Sequence, residues 1–239
     1  MKAAKSLKAF TLKRLALIAS AVTFLSSCAQ VQSQQPQVKV DGSSTVFPIT
    51  KAVAKEFQST SSNKVQVTPG KDSGTFDYFT EAITGKVDAS RSDYTASEDD
   101  EVLVRGVSQD PNALGYFGLA YYEENQGKLK AIAVNSGKGA VLPSQKTVER
   151  AEYKPLARPL FIYINADAAQ KNPALRDFVE FYLNKAPEIV SSVGYVPLSE
   201  DGYHLIGVHF YRTKVGTVFD GKSEFNLTIG ELLRKQATF

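Results

Sequence analysis

Residues 37–68, QVKVDGSSTVFPITKAVAKEFQSTSSNKVQVT, decide the fold. The first five residues alternate around Val38 and Val40, the period of a strand with one buried face. Gly42-Ser43-Ser44-Thr45 is a loop of small residues. Pro48 suits the first turn of a helix, where a missing N–H costs nothing. Ile49, Val53 and Phe57 then recur at a spacing of four and make one apolar helical face. Residues 64–68 read as a second short strand. Strand, small-residue loop, helix, strand is an α/β pattern.

Working outward toward the C-terminus, Pro69-Gly70-Lys71-Asp72-Ser73-Gly74-Thr75 is a second small-residue loop, and Phe76, Phe79 and Ile83 mark a helix directly after it. Ser97 followed by Asp100 predicts a capping box ahead of a helix carrying Leu103 and Val107. Residues 113–121 and 128–135 are expected to be strands, and the apolar run LFIYIN at 160–165 a strand buried on both faces. Asn172-Pro173 opens the best helix, with Leu175, Phe178, Val179, Tyr182 and Leu183 on its core face and Gly194 ending the helical region. Thr228-Ile229-Gly230-Glu231 is a capping box for a short final helix.

Working back toward the N-terminus, the chain changes character. Lys2, Lys5, Lys8, Lys13 and Arg14 form a basic start, followed by an apolar stretch at 15–25. That stretch is shorter than the roughly 18–20 residues that span a bilayer, so residues 1–27 read as a signal peptide. Leu25-Ser26-Ser27-Cys28 resembles a bacterial lipobox, and Cys28 is the chain's single cysteine, which excludes an internal disulfide. Lipidation at Cys28 would anchor the protein to a membrane, stably only if the N-terminus carries more than one acyl chain. Residues 28–36 are a polar, Gln-rich tether. The full chain has a formal net charge of +3; removing the five basic residues of the leader leaves −2, which argues against a nucleic-acid partner. The remaining body of roughly 200 residues is long enough for one sizeable core or two small ones.

The two small-residue loops carry the functional signal. Each stands before a helix and offers backbone N–H groups and hydroxyls at the positive end of a helix dipole, which suits an oxyanion. Either loop alone is explained as a helix cap; the pair points to binding. The stretches Asp41-Gly42-Ser43-Ser44-Thr45-Val46-Phe47-Pro48-Ile49, Pro69 through Phe79, and Ser90-Arg91-Ser92-Asp93-Tyr94 with Ser97-Glu98-Asp99-Asp100 resemble the phosphate-binding proteins of high-affinity phosphate ABC transporters (PstS/SphX-like), in their cyanobacterial-type branch. Residues 112–122 and 215–233 are also similar.

The resemblance implies a type II periplasmic binding protein-like α/β fold with two lobes. Residues 37–68 and 136–239 would form the first lobe and 69–135 a reduced second one. It implies that Ser44, Thr45, Ser73, Gly74 and Thr75 donate to phosphate and that Arg91 supplies a charged fork. The bland reading of Arg91 is a surface ion pair with Asp93 or Glu98. The implied partners are inorganic phosphate and the permease of an ABC transporter, for a lipid-anchored monomer on the periplasmic side of the plasma membrane. No cofactor, metal or covalent chemistry is expected.

The departure from the family is equally specific. Thr68 runs straight into Pro69, where the family continues into a Gly-rich ligand loop, an aspartate that accepts a proton from phosphate, and a crossing strand. Lys71 stands where the branch usually has an uncharged residue. An internal deletion is the simplest account, so a relative with weak or lost phosphate binding, serving interaction or sensing, is the alternative. A phosphate-ester hydrolase is a third reading, but no G-x-S-x-G elbow is present. His204 and His209, expected on opposite faces of a strand, make a poor metal pair, and the acidic run at 98–101 lacks calcium-loop spacing.

Overall fold

The computed structural model describes residues 37–70, 73–219, 221–222, 224–225 and 227–238. The leader, the tether with Cys28, and Lys71 and Asp72 lie outside the described residues.

The opening segment folds as its periodicity requires. Strands β1 (Gln37–Gly42) and β2 (Lys64–Pro69) are parallel, with Val38 opposite Val65 and Val40 opposite Val67. Parallel neighbours need a crossover, and helix α1 (Phe47–Thr60) supplies it, with Pro48 in its first turn. Ile49, Val53, Ala54 and Phe57 are buried on its inner face. They pack with Val38 and Val65 into the core.

Five helices and a hairpin lead to the helix that covers this unit. They are α2 (Gly74–Thr84), α3 (Asp100–Gln109), α4 (Leu119–Glu124), the β3–β4 pair (Val134–Asn135 with Ala140–Val141), α5 (Gln145–Glu149) and α6 (Ala166–Lys171). Helix α7 (Pro173–Ser192) is capped by Asn172, whose side chain accepts from the amides of Ala174 and Leu175. Its buried residues include Ala174, Phe178, Tyr182, Ala186 and Ile189. Phe57 of α1 meets Phe178 edge to face at 5.4 Å between ring centroids and Phe181 at 5.3 Å. The hydroxyls of Thr50 and Tyr182 satisfy each other at 3.2 Å inside this interface. The chain turns at Gly194, whose φ of 86° is a conformation only glycine adopts cheaply. Helices α8 (Glu200–Tyr211) and α9 (Ile229–Thr238) complete the order. Thr228 and Glu231 make the expected reciprocal cap of α9.

Several expectations need correction. Residues 113–121 are not a strand: Gly118 is the N-cap of α4, and the run from Leu119 becomes helical. A short apolar run does not distinguish a buried strand from a buried helix by itself. Of 128–135, only Val134–Asn135 pairs. Residues 160–165 form no strand, and Tyr163 is 79% exposed. A strand needs a neighbour to bond to, and among the described residues β1 pairs only with β2. Ile83, placed on the apolar face of α2, is exposed, and the buried residue there is Thr80. The cap of α3 is Asp99, which accepts from the Glu101 amide at 3.0 Å, while Ser97 binds the Asp99 backbone. His204 and His209 sit on helix α8, not on a strand.

Candidate oxyanion site

Because β1 and β2 are parallel neighbours, the loops that follow them leave the same end of the sheet. Ligands of open α/β sheets bind outside the carboxyl ends of strands, and here that end brings the two loops together. The hydroxyls of Thr45 and Thr75 lie 2.6 Å apart, 30 residues apart in sequence. Ser44 and Thr45 are both buried, at 4% and 5% exposure. Thr45 is the last loop residue but one before α1, and α1 has no side-chain cap: its N-cap is Val46. Ser43 supports the turn instead, its hydroxyl accepting from the Thr45 amide at 3.2 Å.

Ser73 behaves as a cap. Its Oγ accepts from the Phe76 amide at 3.2 Å, at the start of α2. That leaves the Gly74 and Thr75 amides, at the positive end of this helix, without an acceptor among the described residues. Two helix N-termini and a hydroxyl pair thus converge on one place.

A carboxylate also points there. Asp100, in the first turn of α3, is only 4% exposed. It takes a hydrogen bond from the Ser44 side chain, and its Oδ2 has no partner among the described residues. Burial pushes its pKa up to about 6; the Ser44 bond opposes this, and the neighbouring charges of Asp99 and Glu98 add to it. Within the acidic run 98–101, Asp100 is the buried residue, while Asp99 takes the capping role. Tyr121 donates to the Ser44 carbonyl at 3.4 Å, closing the same side.

Arg91 is placed differently from the other candidates. Its Nε and Nη2 fork onto the Asp93 carboxylate at 2.7 and 2.5 Å, and its side chain is 83% exposed. No hydrogen bond links it to either loop among the described residues. A different arginine reaches the loops: Arg158 Nη2 donates to Thr75 Oγ1 at 3.4 Å. No local motif marks Arg158, since its partner lies 83 residues away. An open depression of about 550 Å³ lies apart from the site, against α1 and β2, lined by Lys51, Lys55, Gln58, Ser59 and the apolar Ala54, Val65 and Val67. Among the described residues no helix is long and apolar enough to cross a membrane, and no group of His, Cys, Asp and Glu could hold a metal ion.

Comparison with known proteins agrees with this architecture. A PBP superfamily domain matches residues 61–186. Protein SphX of Synechocystis sp. (strain ATCC 27184 / PCC 6803 / Kazusa) is 61% identical over 171 residues, covering 72% of this chain and 51% of SphX. Phosphate-binding protein PstS of Staphylococcus haemolyticus is 32% identical over 136 residues, covering 56% of this chain and 42% of PstS. The crystal structure of a possible phosphate binding protein from Planctomyces limnophilus DSM 3776 superposes with a TM-score of 0.53 at 29% identity, covering 76% of this chain and 99% of that one. The chain spans about half the length of the curated relatives it matches. With parallel strands whose loops meet at their carboxyl ends, and with these similarities, the chain belongs to the PBP superfamily and is SphX- and PstS-like.

Proposed function

We propose that this protein is an extracytoplasmic solute-binding lipoprotein that captures inorganic phosphate for an ABC transport system. The observation that carries the reading is the Thr45–Thr75 contact, which joins two loops that each open a helix. Phosphate would displace that bond and take hydroxyl and amide donors from Ser44, Thr45, Ser73, Gly74 and Thr75. Asp100 supplies the proton acceptor that the departure from the family otherwise removes. A buried carboxylate accepts a hydrogen bond from an oxyanion that carries a proton, and repels fully ionised sulfate. The residue sets 37–68 with 136–239, and 69–135, act as two lobes that close on the ligand by a hinge. The protein works as a monomer, performs no covalent chemistry and hands phosphate to a membrane permease.

Calorimetric titration of the full chain in detergent tests the reading. Heat with phosphate and none with sulfate at equal concentration is the expected result; no phosphate-dependent heat at millimolar ligand sinks it. Ser73→Ala removes a cap, which costs about 1 kcal/mol of stability, and also weakens phosphate binding. Arg91 joins the ligand only by releasing Asp93, so unchanged affinity in Arg91→Ala removes it from the binding set. A second reading, a shortened relative that no longer binds phosphate tightly, is favoured by the half-length match to the relatives.

Attachment through Cys28 has its own test. Cys28→Ala should shift the protein from the membrane fraction to the soluble one after high-salt or carbonate washing. Unchanged membrane retention would assign the anchor to another feature.

A further inference from the structure

Two groups at the threonine pair are supported by no sequence motif, and both lack a strong partner. The first is Arg158. Its guanidinium lies against the first residue of α2: a Cβ built on Gly74 would stand 3.6 Å from Nη1 and 3.7 Å from Nη2. Its Cζ sits 5.1 Å over the Tyr78 ring centroid, and its one hydrogen bond among the described residues is the 3.4 Å contact to Thr75. Among the described residues it forms no ion pair, in contrast to exposed Arg91. Desolvating a half-buried guanidinium is costly, and burial here lowers its pKa despite the opposing pull of Tyr78, Tyr195 and Asp77.

The second is Tyr195, 7% exposed, whose Oη has no hydrogen-bond partner among the described residues. It occupies the space beside Gly118 so closely that any Cβ there would collide with Oη. The same point lies 3.5 Å from Thr45 Cγ2, so the phenol and the threonine share one space. Burial holds the phenol well above its ordinary pKa, with the charges of Tyr121 and Asp100 acting in the same direction and Arg158 against it. It is therefore a donor at any physiological pH. A buried polar group is normally hydrogen-bonded, and an exception calls for an explanation.

We propose that Arg158 and Tyr195 are ligand-contacting residues of this site, Arg158 giving a bidentate charged fork and Tyr195 a neutral hydrogen bond to a tetrahedral oxyanion that parts Thr45 from Thr75. The inference rests on the phosphate reading above. It assigns the positive charge of the site to Arg158.

The test is phosphate calorimetry on the full chain and on Arg158→Lys and Tyr195→Phe, with thermal melting of each without ligand. Lysine keeps the charge and loses the fork; phenylalanine keeps the shape and loses the donor. Each variant should bind phosphate at least about tenfold more weakly. Tyr195→Phe should melt at the same temperature or higher, because it removes an unpartnered buried hydroxyl. A purely structural role would lower the melting temperature and leave affinity alone. Parent-like affinity in both variants, with binding by the parent intact, overturns this inference and leaves the phosphate reading standing. No phosphate heat from the parent overturns both.

Discussion

Asp100→Asn is expected to make the unliganded chain more stable at neutral pH by about 3 kcal/mol, on a scale of about 1.4 kcal/mol per unit of pKa displacement. The carboxyl is 4% exposed, and burial raises its pKa from 3.8 to about 6. The folded chain thus binds this proton more tightly than the unfolded chain does. Its contribution to stability is fully present below about pH 4 and is lost as pH rises through about 6. Asparagine never ionises, so the variant and the parent should be near-equal at pH 4 and diverge up to pH 7. Urea unfolding at several pH values between 4 and 7.5 checks this; a difference independent of pH would show that the carboxylate is solvated. The same substitution should weaken phosphate binding and narrow the preference for phosphate over sulfate. Stability gained where binding is lost is the pattern of a group retained for function.

Phe57→Ala is expected to lower the unfolding free energy by about 3–5 kcal/mol, the range for a fully buried phenylalanine. Phe57 is 4% exposed and touches Phe178 and Phe181 of α7 in edge-to-face geometry, next to Val53, which is fully buried. Removing the ring deletes both aromatic contacts and leaves a cavity where α1 crosses α7. The denaturation midpoint in urea reads the effect. Ile83→Ala, at a 54% exposed position on α2, is the control and should change stability by less than about 0.5 kcal/mol. A loss below about 1 kcal/mol for Phe57→Ala would mean that the core does not lie between α1 and α7.

The legible parts of the molecule are those whose signals are local. Alternation at Val38 and Val40, the spacing of Ile49, Val53 and Phe57, Pro48, Asn172-Pro173 and the Thr228–Glu231 cap each act within one or two turns of chain, and each appears where its period or hydrogen bond requires. The two small-residue loops were also legible, because parallel strands of equal length force the loops after them to the same end. The misread segments share the opposite property. An apolar run such as 160–165 states only that it is apolar; whether it becomes a strand depends on a neighbour elsewhere in the chain, and none pairs with it among the described residues.

The candidate site divides in the same way. Ser44, Thr45, Ser73, Gly74 and Thr75, with the helix each loop opens, are written into the sequence by spacing and residue type. The charges of the site are not. In the run Glu98-Asp99-Asp100-Glu101 any of several carboxylates could cap α3, and only the tertiary contact with Ser44 selects Asp100 for the interior. Arg91 and Arg158 are equally basic in sequence, yet one extends into solvent beside Asp93 and the other lies at Thr75. Local backbone preference places hydroxyls and amides, because these belong to the turn itself. Long charged side chains go where desolvation and distant partners allow, so the tertiary structure alone decided which of them lie at the two loops.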